Sequence, residues 1–126
     1  MAKKGTTKYY SDVQERRVSS LLGMKQVSGS GAPCFCCGDI LGDMFLGECK
    51  TSMKEKSSFS VKKEWIDKNN IEKIQLQKPY SFLAISFTPE ADTNYFIIGE
   101  KEMKKFVELL REEHKNEEYW KVNWKS

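Results

Sequence analysis

The stretch Gly38-Asp39-Ile40-Leu41-Gly42-Asp43-Met44-Phe45-Leu46-Gly47-Glu48-Cys49-Lys50 decides the fold, because short apolar runs on either side of a turn sequence describe one antiparallel hairpin. With Gly42-Asp43 as a two-residue turn, Ile40 faces Phe45 and Asp39 faces Leu46. Side chains alternate along strands, so Leu46, Glu48 and Lys50 share the face of Asp39. Glu48 is then the diagonal neighbour of Asp39, at roughly 7–8 Å between backbone positions. Two carboxylates there could share one cation. The arrangement requires an even-length loop, since an odd one would place Asp39 on the face opposite Glu48.

Upstream of the hairpin, residues 1–8 read as a flexible basic tail, and the pattern from about Tyr9 to Leu22 suits a helix. Val18, Leu21 and Leu22 form its expected inward stripe, and Gly23 its stop. Glu15 lies three residues before Val18 and seven before Leu22, so it falls on or beside the apolar face. An acid there needs a partner, either a salt bridge or a functional group. Lys25-Gln26-Val27 suits a short strand, followed by the glycine-rich loop Ser28-Gly29-Ser30-Gly31-Ala32-Pro33. Glycines allow close backbone approach to a ligand, although most such stretches are turns.

Downstream, Thr51 to Ser58 is polar and lysine-rich, and Ser60 is a candidate cap for a helix to about Asn70 with Val61, Trp65 and Ile66 inward. Pro79 ends the connection. Ser81-Phe82-Leu83-Ala84-Ile85-Ser86-Phe87 and Asn94-Tyr95-Phe96-Ile97-Ile98 read as strands around the turn-forming Pro89-Glu90-Ala91-Asp92. From Glu100 to about Glu113, Met103, Phe106, Val107 and Leu110 recur at helical spacing and describe an amphipathic helix packed on the sheet. The tail Tyr119-Trp120-Lys121-Val122-Asn123-Trp124-Lys125 mixes aromatics with lysines, suited to stacking on bases or to covering the core or a dimer interface. The expected order is αβββαββα, an α/β fold with a mixed central sheet of about five strands flanked by helices. Residues 9–126 form its single domain.

At 126 residues the chain is long enough for one core, and 39% apolar with 31% charged residues suits a globular protein. No apolar run approaches the ~18 residues of a spanning helix, and Met1-Ala2-Lys3-Lys4 lacks the apolar stretch of a signal peptide, so the expected location is cytoplasmic, with no membrane partner. The formal charge of +3 points only weakly to a polyanion. Its distribution says more. Lys3, Lys4 and Lys8 precede the first acid, and Lys50, Lys54, Lys56, Lys62 and Lys63 surround the hairpin with only Glu55 between them. Such clusters neutralise phosphates or simply form a solvated face.

Cys34, Cys36, Cys37 and Cys49 are expected as reduced thiols in a chain without an export signal. Zinc is conceivable, but Cys-x-Cys-Cys with one distant cysteine lacks the paired Cys-x-x-Cys knuckles of a structural site. Cys49 alternates away from Glu48 and Lys50, into the core. His114, the only histidine, stands among Glu112, Glu113 and Lys115 as a solvent-facing residue or helix-end charge. No hydrolase triad or phosphate-binding P-loop is apparent.

Hydrolysing a phosphodiester requires a deprotonated water, a neutralised pentavalent phosphate and help for the departing oxyanion, and Mg²⁺ can serve all three. It prefers oxygen ligands and keeps several waters, so two carboxylates plus a backbone carbonyl are a sufficient protein share. Asp39 and Glu48 suit that role by sharing a face, and Lys50 suits orienting the water or, alternatively, a salt bridge to either acid. Arg16, Lys25, Ser30, Lys54 and Lys56 are candidate phosphate contacts, which position a strand without reading its sequence.

Asp39 followed nine positions later by Glu48-Cys49-Lys50 resembles the metal motif of the PD-(D/E)XK nuclease superfamily, whose core begins with a helix, three strands, a helix and a strand. Glu15 on the first helix, Ser28-Gly29-Ser30-Gly31, Gly38-Asp39-Ile40 and Glu48-Cys49-Lys50 look most like the small archaeal and phage Holliday junction resolvases, over about residues 9–98. Gly38 stands where the superfamily's name has proline, and the cysteines around the loop are not part of the pattern. Glu-x-Lys alone is common by chance; its combination with Asp39, Glu15 and the element order carries the likeness.

The resemblance implies a restriction-endonuclease-like core and a Mg²⁺-dependent endodeoxyribonuclease, with Mn²⁺ as a substitute. It implies catalytic Glu15, Asp39, Glu48 and Lys50, with metal held by Asp39, Glu48 and Cys49 and by Glu15. The implied substrate is branched DNA such as a four-way junction, cut by a homodimer in recombination or repair, with a phage origin and a bacterial host cytoplasm. The same architecture serves nicking, restriction and exonuclease roles. Two readings from other classes are a non-catalytic nucleic-acid-binding module whose thiols hold zinc, and an interaction protein whose charged hairpin is incidental. Neither explains why Asp39, Glu48 and Lys50 align.

Overall fold

Thr6 opens the first helix by accepting a hydrogen bond from the Tyr9 N–H at 3.2 Å, and Gly23, at φ 65°, closes it in the left-handed conformation that glycine adopts without a Cβ penalty. In this computed structural model, which describes residues 3–27 and 39–116, the elements are α1 (Thr7–Leu22), β1 (Lys25–Gln26), β2 (Ile40–Leu41), β3 (Phe45–Thr51), α2 (Lys63–Gln75), β4 (Tyr80–Ser86), β5 (Tyr95–Ile97) and α3 (Glu100–Glu113). The element order is the expected one. The five strands form one mixed sheet in the order β1-β2-β3-β4-β5, with β3 and β4 parallel and the other neighbours antiparallel. A parallel pair needs a crossover, and α2 supplies it. Ser28 to Gly38, with the glycine-rich loop and Cys34, Cys36 and Cys37, and the aromatic tail from Tyr119 lie outside the described residues.

The hairpin pairs Ile40 with Gly47 and Leu41 with Leu46, so the turn falls at Asp43-Met44, one residue later than expected. The Gly42 N–H donates to the Phe45 carbonyl at 2.9 Å, which places Gly42 in the ladder rather than in the turn. Its lack of a side chain has another use there. A Cβ on Gly42 would stand 2.9 Å from the Met24 side chain, so glycine lets Met24 lie flat on the hairpin. The loop remains even in length, and Asp39 keeps the face assigned to it.

Register and alternation sort the sheet into two faces. Ile40, Gly47, Cys49, Phe82 and Ala84 lie on one, where all but Gly47 join Val18 of α1 in the core, with Met24, Phe45 and Ile98 packed around them. Leu46, Glu48, Lys50, Leu83 and Ile85 lie on the other, beneath α2. Gly47 is required by its neighbour: a Cβ there would stand 2.2 Å from the Phe82 ring. Six of the seven residues of β4 are buried, as expected for a central strand covered on both faces.

The helices depart from the expected stripes. In α1 the buried residues are Gln14, Val18 and Ser19, whereas Leu21 is 68% exposed and lines an open groove beside Ala91 and Asn94. The helix also begins at Thr7, inside the expected tail. Ser60 does not cap α2, which starts at Lys63, runs on to Gln75 and leaves Val61 exposed outside it. Its buried residues are Asn69 and Glu72, with Trp65 and Ile66 only half-buried. In α3 only Glu102 is buried; Met103 and Leu110 are exposed, and Phe106 and Val107 half-buried. Here α3 docks by its first turn, where Glu102 Oε2 accepts from the Ser81 N–H at 3.1 Å with Lys73 Nζ 4.0 Å away, and by Phe106, whose ring lies 6.2 Å from that of Phe45. Among the described residues no helix is long and apolar enough to cross a membrane.

Candidate active site

Asp39 stands where β2 begins, and it leaves the ladder. Its N–H donates to the Gly47 carbonyl at 2.8 Å, and its Oδ2 accepts from the Cys49 N–H at 2.8 Å, a place a backbone carbonyl would fill if the strand continued. The carboxylate is thereby clamped at the edge of β3. The ladder ends at Ile40, opposite Gly47, and Asp39 bends out of it with its side chain turned to β3. The Asp39 and Glu48 side chains share a hydrogen bond.

That bond requires a proton. Glu48 is 8% exposed, and its pKa rises to about 8, first through burial, then through the hydrogen bond to Asp39 and the charge of Asp39, against the opposing pull of Lys50 and Lys68. Glu15 of α1 comes within reach of the Asp39 charge. Its pKa rises to about 7, through burial and then the Asp39 charge, with Asp12 adding a little and a hydrogen bond from Gln26 opposing. Gln26 of β1 holds this acid in place, its Nε2 donating to Glu15 Oε1 at 3.1 Å and to Asp12 Oδ1 at 2.6 Å.

Lys50 emerges from the same face of β3 as Glu48 and makes no ion pair among the described residues. The alternative of a salt bridge to Asp39 or Glu48 is therefore not what the fold uses. Its Nζ lies 4.6 Å from the centroid of the Trp65 ring on α2, a cation–π contact. Cys49, between these groups in sequence, turns its thiol into the core, where burial and then the charges of Asp39, Glu15 and Glu48 push its pKa well above the ordinary value. The thiol thus packs as a small apolar group. The backbone of Cys49, by contrast, faces Asp39, and its carbonyl leaves the strand on the side of its N–H.

The remaining candidates are scattered. Arg16 is exposed and pairs with Asp12 at 3.3 Å, Lys25 is exposed on the outer strand, and Lys54 and Lys56 are exposed on the loop after β3. Ser30 lies outside the described residues. His114 caps the end of α3, its N–H donating to Leu110 O. Sequence reasoning missed Gln14, which is fully buried and donates from Nε2 to the Lys50 carbonyl at 3.0 Å, the Ala84 carbonyl at 3.2 Å and Asn94 Oδ1 at 3.0 Å. It also missed Gln26 and Trp65 as supports. The signal for Gln14 was present, since it lies four residues before Val18 and so on the buried face.

Among the described residues no three histidine, cysteine, aspartate or glutamate side chains already form a metal-binding array. Asp39 and Glu48 face each other instead, with one Asp39 oxygen taken by the Cys49 N–H. The donors on offer are all oxygens, two carboxylates and a backbone carbonyl with Glu15 beside them, a set that fits a hard cation and not a thiophilic one. No family model, curated protein or solved structure matches this chain.

Proposed function

We propose that the protein is a Mg²⁺-dependent endonuclease of the PD-(D/E)XK kind, acting on branched DNA such as a four-way junction. The observation that carries this reading is the meeting of Asp39 and Glu48 at the edge of β3, with Glu15 from α1 and Lys50 from the next position of the same face. Asp39 stands between two buried acids, Glu48 on β3 and Glu15 on α1, each costly to bury, and core packing alone gives no reason to set them there. Asp39, Glu48 and the Cys49 carbonyl would hold the cation, and Glu15 would hold or orient a second. The bound cation would supply a water acidic enough to attack at neutral pH and would neutralise charge on the phosphate.

The chain's own contributions are positional. Lys50, propped by Trp65 and without a carboxylate partner, has its ammonium free to face the phosphate oxygens or hold the attacking water. Gln14 fixes the Lys50 backbone, and Gln26 fixes Glu15. The homodimer belongs to this reading because symmetric cuts across a junction require two sites, and the exposed Met103, Leu109 and Leu110 of α3 offer apolar surface for a second copy.

The test is a labelled four-way junction incubated with the protein and Mg²⁺, beside EDTA and linear-duplex controls. Cleavage that needs Mg²⁺ is expected, lowered at least a hundredfold in Asp39→Ala, Glu48→Ala and Lys50→Ala, with DNA binding largely retained. Full activity in a correctly folded Glu48→Ala protein would refute the assignment.

A further inference from the structure

The catalytic face does not stop at Lys50. Along the sheet Lys50 pairs with Ile85, and Ile85 with Tyr95 on the outer strand β5, so Tyr95 shares the face of Lys50 two strand spacings away, about 10 Å. Aromatic rings join the two points. Trp65 lies 4.6 Å from the Lys50 ammonium, Phe59 is 6.5 Å from Trp65 and 6.0 Å from Phe87, and Phe87 is 5.6 Å from Tyr95. Trp65, Phe59 and Phe87 are half-buried, whereas Tyr95 is 57% exposed at the end of the row.

The loop from β3 to α2 rests against this row, fixed by the Lys56 N–H donating to the Phe87 carbonyl at 2.9 Å and by the buried Ser52 hydroxyl against the Lys54 and Phe87 carbonyls. It carries Lys54 and Lys56, both exposed and without an ion pair among the described residues. A cluster serving only as packing under a loop has no need of an outward tyrosine on an edge strand, or of unpaired ammonium groups beside it. Lysines alone would suit any polyanion. Aromatic faces add affinity only for bases free to leave their own stack, because the bases of a duplex are already stacked on each other.

We infer that the row from Trp65 to Tyr95, flanked by Lys54 and Lys56, is a binding site for unpaired nucleotides adjoining the phosphate at Lys50. The substrate is then a branched DNA that carries unpaired nucleotides on one side of the cut, as at an opened branch point. The position of the phosphate rests on the nuclease reading; the stacking site does not.

The experiment is fluorescence anisotropy of labelled (dT)12 and of a labelled blunt duplex, with the full chain in EDTA so that neither is cleaved. Tyr95→Ala is expected to weaken (dT)12 binding about tenfold or more, within the range of one lost base stack, and duplex binding less than twofold. Tyr95→Phe should restore it, and the joint Lys54→Ala, Lys56→Ala variant should weaken both probes and flatten the salt dependence. Equal loss on both probes, or no loss on (dT)12 with unchanged near-ultraviolet circular dichroism, would overturn the inference. Selective (dT)12 binding through Tyr95 in a protein that cuts nothing with Mg²⁺ would uphold the stacking site and sink the nuclease reading. Mg²⁺-dependent cleavage with Tyr95→Ala indifferent on (dT)12 would do the reverse.

Discussion

Glu48 and Glu15 keep protons in the fold, up to about pH 8 and about pH 7, that carboxyls of ordinary pKa 4.5 have released. The folded state therefore binds more protons than the unfolded one over that range, so their contribution to stability is present below about pH 4.5 and is lost as pH rises through about 7 and 8. Glu48→Gln keeps the hydrogen bond to Asp39 without a charge to lose. In thermal melts in EDTA, its melting temperature is expected to exceed that of the native protein at pH 9 by roughly 4 °C or more. Near pH 5 the two should nearly coincide, and equal melting at both pH values would show that Glu48 carries no buried proton. Gln14 is expected to matter differently. Gln14→Leu strips the Lys50 and Ala84 carbonyls of their amide donor and should cost about 1–3 kcal/mol in urea unfolding.

The β3–β4 pair, the only parallel one among the described residues, rests on a glycine. Because a Cβ at Gly47 would stand 2.2 Å from a Phe82 ring that is 5% exposed and enclosed by Phe45 and Phe96, the ring has no space to swing away. Gly47→Ala is expected to destabilise by about 1–3 kcal/mol, the usual cost of overpacking. Combining it with Phe82→Leu should recover part of that loss, and strict additivity in the double-mutant cycle would show that the two positions do not meet. The helix stripes were misread at this level. In α2 and α3 the buried positions are Asn69, Glu72 and Glu102; Asn69 Nδ2 donates to the Phe82 carbonyl at 3.0 Å and Glu102 accepts from the Ser81 N–H, tying helix to strand, while Glu72 pairs with Lys68 on its own helix. Hydrophobic periodicity does not register an inward glutamate such as Glu102, because its burial is made tolerable only by partners distant in sequence.

Cation binding should couple the acid cluster to the stability of the whole chain. A ligand that binds only the folded form raises stability by RT ln(1 + [L]/Kd), about 2.7 kcal/mol at a hundred times Kd. Mg²⁺ is accordingly expected to raise the melting temperature at pH 8.5, to do so much less at pH 6, where Glu48 and Glu15 are protonated, and not at all in Asp39→Ala. A Mg²⁺ shift of the same size in native and Asp39→Ala proteins would place any metal elsewhere.

The order of elements, the parity that sets Asp39 and Glu48 on one face, the glycine stop of α1 and the inward turn of the Cys49 thiol were all legible in the chain, because each depends on local periodicity or on the preference of one residue. Tertiary structure alone decided the turn position, with Gly42 fitted under Met24, and the bend that brings the Asp39 carboxylate to the Cys49 N–H and to Glu48. It alone decided that Lys50 leans on an indole from α2, and that Gln14 and Gln26 hold the backbone and the acid from elements far along the sequence. Local preference is a property of neighbours in the chain; a shared proton, a braced ammonium and a buried amide exist only once the sheet brings distant residues within reach of one another.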